Sequence, residues 1–192
     1  LAGDLEEAEE RLSAQLALTR RLKAMGHEAD ATSMLARLAI RRGDLARAAV
    51  LARESLALHR TCGETSSQAH LLLLIAALSL RSGGDAADVR ASMNEAVALL
   101  RHAGDAHSLT VLLPEAAALL AAEGRPEDAA RVLGAHSPYD DPDAPCTIAL
   151  EAALLAAEGL RPALETTLGP DAFARHFSEG KSLTPAEALA SV

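Results

Sequence analysis

The sequence predicts an all-α protein, a right-handed solenoid of antiparallel helix pairs closed by a C-terminal helical cap, and three observations predict it. Glycines at Gly3, Gly43, Gly84 and Gly124 stand 40, 41 and 40 residues apart, the first three each followed by aspartate. A fixed period in this range marks helix pairs that bury their apolar faces only by stacking on neighbours. A second glycine falls inside each period, at Gly26, Gly63 and Gly104, and divides it in two. Of the 192 residues 49% are hydrophobic, mostly Ala and Leu, with two Phe, one Tyr and no Trp, which favours helix over sheet.

The clearest unit sets the pattern. A first helix runs from about Glu28 to Arg42, Gly43 ends it, Asp44 opens the second and Gly63 ends that. Glycine accepts the left-handed conformation that closes a helix, and aspartate accepts the free N–H groups of the next one at its positive end. Five residues after each ladder glycine come Ala8, Ala48, Val89 and Ala129; nine after come Leu12, Ala52, Met93 and Leu133; thirteen after come Leu16, Leu56 and Val97. Steps of four keep these on one stripe, the expected buried one. The companion helices fall at about 28–42, 66–82 and 106–123, and Pro114 is expected to kink the last or move its start. At Gly124 the next helix opens on Arg125-Pro126-Glu127-Asp128, with proline suited to the first turn.

Residues 1–135 therefore form the repeats. Three prolines and three acids between Ser137 and Pro145 predict an extended acidic linker over 136–146. The cap, 147–192, holds helices from Thr147 to about Glu158, from Pro162, from Pro170 and from Thr184, whose spacing to Glu187 is that of a capping box. The chain opens on Leu1 with only the second helix of a pair, so it is expected to be a piece of a longer protein.

Charge and cysteine content exclude several roles. A formal charge of −9 with no compact Lys/Arg run repels phosphate backbones, so no direct nucleic-acid contact is expected. Cys62 and Cys146 lack metal or redox spacing, which fits a reduced, cytoplasmic setting. The most apolar run, Leu71 to Ile75, is closed by Arg81 far short of the roughly 20 residues a membrane span needs.

With the Gly-Asp ladder, the small residue at offset five and the two-helix unit, the chain resembles tetratricopeptide repeats, with a period longer than the ~34 residues of standard units and Ala and Leu at the usual aromatic positions. The segment Gly124-Arg125-Pro126-Glu127-Asp128-Ala129-Ala130-Arg131-Val132-Leu133-Gly134-Ala135 and the closing stretch from Leu168 to Ala188 are similar to tail motifs of large actinobacterial transcriptional regulators of the LuxR-like and antibiotic-regulatory (SARP-type) kinds, which carry a signalling ATPase module. The resemblance covers nearly the whole chain. It implies a non-catalytic arm of a transcriptional regulator that binds a protein or peptide partner, senses an effector, or restrains its own upstream ATPase. The apolar face left open on the first helix makes self-association as a homodimer the alternative, and scattered His and Cys leave a hydrolase as a weaker one.

No catalytic, cofactor or metal residues are assigned. His102 and His107 flank Asp105 without an i, i+4 pair, and His59 and His70 read as residues of solvated turns. His176 reads as a packing residue. Cys62, three residues from His59, lacks a third group to orient a base. Glu6-Glu7 and Glu9-Glu10 read as a solvated helix face with Arg11, and Gly83-Gly84 lacks the Gly-Lys-Ser/Thr ending of a phosphate loop. The candidate partner-binding residues are Ser33, Arg37, Arg41, His70 and Arg81, on the expected concave surface. Arg37 and Arg41, four apart, would set two guanidiniums side by side for a carboxylate-bearing partner.

Overall fold

Stop and start signals in the sequence become helix ends, as their backbone chemistry dictates. The computed structural model describes residues 2–103, 110, 112–136 and 148–190, and among them eleven helices and no strand occur. They are α1 (Ala2–Leu22), α2 (Met25–Arg41), α3 (Leu45–Cys62), α4 (Thr65–Arg81), α5 (Ala86–Ala103), α6 (Leu113–Ala122), α7 (Pro126–His136), α8 (Ile148–Ala157), α9 (Leu160–Leu168), α10 (Pro170–Gly180) and α11 (Pro185–Leu189). The acidic linker expected over 136–146 lies, after His136, outside the described residues.

Gly43 has φ 76°, and the amide of Asp44 bonds back to the Ala39 carbonyl at 2.9 Å. The Asp44 side chain then accepts the Arg47 N–H at 3.0 Å. One dipeptide thus ends α2 and begins α3. Two signals fall elsewhere than the sequence suggests. In the third step Gly83, not Gly84, takes the left-handed conformation (φ 71°), while Gly84 sits where a Cβ would lie 2.2 Å from the Ser79 Oγ. Gly26 closes nothing, because it lies in the first turn of α2. The break after α1 is made by Lys23 at φ 53°, the one non-glycine residue with positive φ among those described. A side chain there carries a steric cost that glycine lacks. Lys23→Gly is expected to raise stability by about 0.5–1 kcal/mol, read as a higher midpoint in thermal unfolding.

Most of the predicted stripe is buried from α3 onward, while Val97 of α5 and Leu133 of α7 are half-buried. Ala48, Ala52 and Leu56 of α3 are buried, as are Val89 and Met93 of α5 and Ala129 of α7. Their counterparts in α1, Ala8, Leu12 and Leu16, are only half-buried. Among the described elements α1 packs chiefly against α2, so its stripe has cover from one side only. Pro114 does not kink a long helix; a helix begins at Leu113 with the proline in its first turn, where a missing N–H costs nothing. Thr184 and Glu187 complete both halves of the predicted capping box.

From α1 to α5 each helix packs on the next in chain order. Basic and acidic side chains join alternate helices: Arg20 of α1 to Glu54 of α3 at 2.6 Å, 34 residues on, and Arg60 of α3 to Glu95 of α5 at 2.7 Å, 35 on. Arg90 reaches both oxygens of Glu123, 33 residues on. Glu9 is gripped by Arg42 and, at 2.7 Å, by Arg47. Glu9 is therefore not part of a solvated acidic face as its sequence context suggests; the Arg47 and Arg42 guanidiniums hold its carboxyl below the ordinary range.

The chain order breaks in the tail. Helix α8 returns to lie against α4 and also packs on α6. Ala152, Ala153 and Ala156 are buried there, small enough for close approach. Helix α4 is covered by α3, α5 and α8, so Leu71 to Leu74 are all buried. Helix α10 crosses α7, while α9 and α11 pack around them. The chain's only two phenylalanines are on α10: Phe173 is buried, and Phe177 stacks on it at 5.4 Å between centroids under the Arg161 guanidinium.

Candidate functional site

Of the five residues picked from sequence, two share one helix face, Arg41 exposed and Arg37 half-buried. Arg37 and Arg41 lie on α2 in line with Asp30 and Met34, and the Arg37 guanidinium points to the Met34 sulfur at 3.4 Å. Met34 is exposed, an unusual position for a large apolar side chain between charged ones. Ser33 is 5% exposed and donates its hydroxyl to the Asp30 carbonyl at 2.9 Å, which satisfies α2 internally. His70 is half-buried on α4. Arg81, at the end of α4, pairs with Glu158 at 2.8 Å, just beyond α8. On α4, Arg81 is thus exposed but paired and His70 is half-buried; on α2, Arg41 is exposed and Arg37 half-buried.

The histidines divide differently than the sequence implies. His59 is not a solvated turn residue; it is 3% exposed inside α3. Its Nε2 lies 3.8 Å from the Asp30 carboxylate, and its backbone carbonyl accepts from the Gln68 side chain at 3.2 Å. Burial lowers its pKa, and the Asp30 and Glu64 carboxylates only partly oppose that. His176 is mostly covered and hydrogen-bonds Glu179 at 3.1 Å, in keeping with a packing role. His107, Asp105, Gly104 and Cys146 lie outside the described residues. Among the described residues no group of three or more His, Cys, Asp or Glu could hold a metal ion, and no helix is long and apolar enough to cross a membrane. Cys62 is exposed and free.

An ionic chain joins the two tail motifs. Arg125 and Arg131 both bind Asp128, and Arg131 also reaches Glu179 on α10 at 3.1 Å. Burial pulls the Asp128 carboxyl up, and the two guanidiniums outweigh it, so the group titrates below its ordinary value. The His176 ring and then Arg131 hold Glu179 low as well.

One residue with clear chemical character was missed. Glu115, in the first turn of α6, is 0% exposed, and neither carboxylate oxygen has a hydrogen-bond partner. Burial pushes its pKa well up, against only a small pull from its own backbone amide. An acid just after a proline reads as an ordinary helix N-terminal residue. The available clue was its isolation, as the one charged side chain between Thr110 and Ala122.

No protein-family model, curated protein or solved structure matches this chain.

Proposed function

We propose that the chain is a non-catalytic interaction arm of a larger cytoplasmic transcriptional regulator, a tetratricopeptide-like solenoid that binds a protein or peptide partner or restrains the regulator's own ATPase module. The observation that carries this reading is the packing of α1 to α5 in chain order, with glycine stops after α2, α3 and α4 and ion pairs that join α1 to α3 and α3 to α5. Such arrays present faces rather than pockets. The face in question is the α2 stripe, where Arg37 and then Arg41 follow Met34 along the helix with the chemistry to receive a carboxylate beside an apolar side chain.

The test is ATP turnover of the full-length regulator carrying Arg37→Glu and Arg41→Glu together. Reversing two charges on the contact face is expected to change basal turnover several-fold, since rim-to-core charge reversals cost a few kcal/mol. Turnover equal to wild type, with the helical circular dichroism unchanged, would remove the α2 stripe from the role. Self-association is a second reading, favoured by the exposed face of α1.

A further inference from the structure

Helix α1 turns Leu5, Ala8, Leu12, Leu16 and Thr19 inward and leaves the opposite face bare. On that face lie Glu10, Ala14, Ala17, Leu18, Arg21 and Leu22, with Leu18 52% and Leu22 67% exposed. Its charges are sorted along its length. Acids fill the first half, at Asp4, Glu6, Glu7, Glu9 and Glu10, and bases close it, at Arg20, Arg21 and Lys23. Several are already committed: Glu7 to Arg11, Glu9 to Arg42 and Arg47, Arg20 to Glu28 and Glu54. Among the described residues Glu6, Glu10, Arg21 and Lys23 make no ion pair. Glu6, Glu10 and Ser13, with Glu9 and Arg42, line an open groove of about 360 Å³ beside this face.

A helix acidic at one end and basic at the other is complementary to itself in reverse. We infer that α1 pairs antiparallel with α1 of a second copy about a twofold axis, so that Arg21 of each copy enters the groove at Glu10 of the other. The register follows from helix geometry. Setting Ala14 against Ala17 of the second copy brings Glu10 opposite Arg21, because both pairs share the same midpoint along the helix. The two alanines allow the axes to approach within about 8–10 Å, and Leu18 then covers Ala14 of the second copy. Twofold symmetry makes every contact twice, whereas a parallel pairing would set acid on acid. This names one partner within the interaction role proposed above, on a face separate from the α2 stripe, so either can fail alone.

One helix pair buries an area at the low end for specific interfaces, so a dissociation constant on the order of 10 μM is expected. Sedimentation velocity of the 192-residue chain, from low to several hundred micromolar, should show a reversible monomer–dimer equilibrium. Arg21→Glu and Glu10→Arg should each weaken the dimer at least about tenfold. The double variant Glu10→Arg/Arg21→Glu should restore it, because the swapped charges meet again across the axis. Both residues are exposed and without partners, so circular dichroism should report intact helix in every variant. The inference is overturned by a monomer at all concentrations, by open-ended polymers, by a dimer that neither single variant weakens, or by failure of the double variant to recover.

Discussion

Gly134→Ala and Gly180→Ala are each expected to destabilise the protein by about 3 kcal/mol, although alanine normally outperforms glycine in a helix by about 1 kcal/mol. The reason is the crossing of α7 and α10. A Cβ on Gly134 would lie 2.1 Å from the Phe177 carbonyl oxygen, and one on Gly180 would lie 1.9 Å from the Arg131 carbonyl oxygen. Both obstacles are backbone, so no rotamer change relieves them. The helices must move apart, which weakens the Arg131–Glu179 pair and uncovers Phe173. Because one separation accommodates both methyl groups, the double variant should cost little more than either single one. Gly26→Ala is the control: it is also helical, and nothing lies within 4 Å of its added Cβ, so it should stabilise by about 1 kcal/mol. Urea midpoints decide the matter. If Gly134→Ala raises the midpoint as Gly26→Ala does, the close crossing is wrong.

These glycines show what sequence could and could not reveal. Both belong to the tail segments that stand out in the sequence, yet nothing local says that the two segments touch. Local chemistry was readable: the Asp44 cap, the Thr184 capping box and the start of α6 at Pro114 each depend on a few adjacent residues. The buried stripe was readable for the most part, because period and packing agree at Ala48, Ala52, Leu56, Val89, Met93 and Ala129, with Val97 and Leu133 only half-buried. What failed were choices between equals. Two adjacent glycines, Gly83 and Gly84, can both end a helix; the first takes the left-handed turn, and the second lies where a Cβ would meet Ser79. Lys23 took a conformation that Gly26 seemed placed to supply. The return of α8 onto α4 was illegible, since a helix apolar but for Glu151 suits many neighbours. That return brings Glu158 to Arg81, which stays exposed but paired.

Glu115 is expected to make the protein lose stability as pH rises. In the unfolded chain its carboxyl titrates near the ordinary value of 4.5, whereas burial raises the folded value well above that. Below 4.5 both states hold the proton, and the carboxyl brings no charge penalty. Above it the unfolded state releases the proton first, so unfolding gains free energy with each step in pH until the folded group also ionises. Most of the other shifted acids, Glu9, Asp128, Glu179 and Glu187, are lowered by their partners and act in the opposite sense, losing stability only in acid. Glu115→Leu should therefore stabilise by about 2–3 kcal/mol at neutral pH, the cost of an unpaired buried polar group. The gain should shrink toward acid as the carboxyl becomes neutral in both states. Glu115→Gln separates charge from shape: it keeps an unpaired polar group but cannot ionise, so its stability should run flatter with pH than the wild type through the weakly acid range. Urea unfolding of the three proteins between acid and neutral pH measures this. A Glu115→Leu gain that stays constant with pH would mean that the carboxyl ionises over the same range in the folded and unfolded states, so that burial does not shift it; a loss would mean that it has a partner and that α6 is packed differently around it.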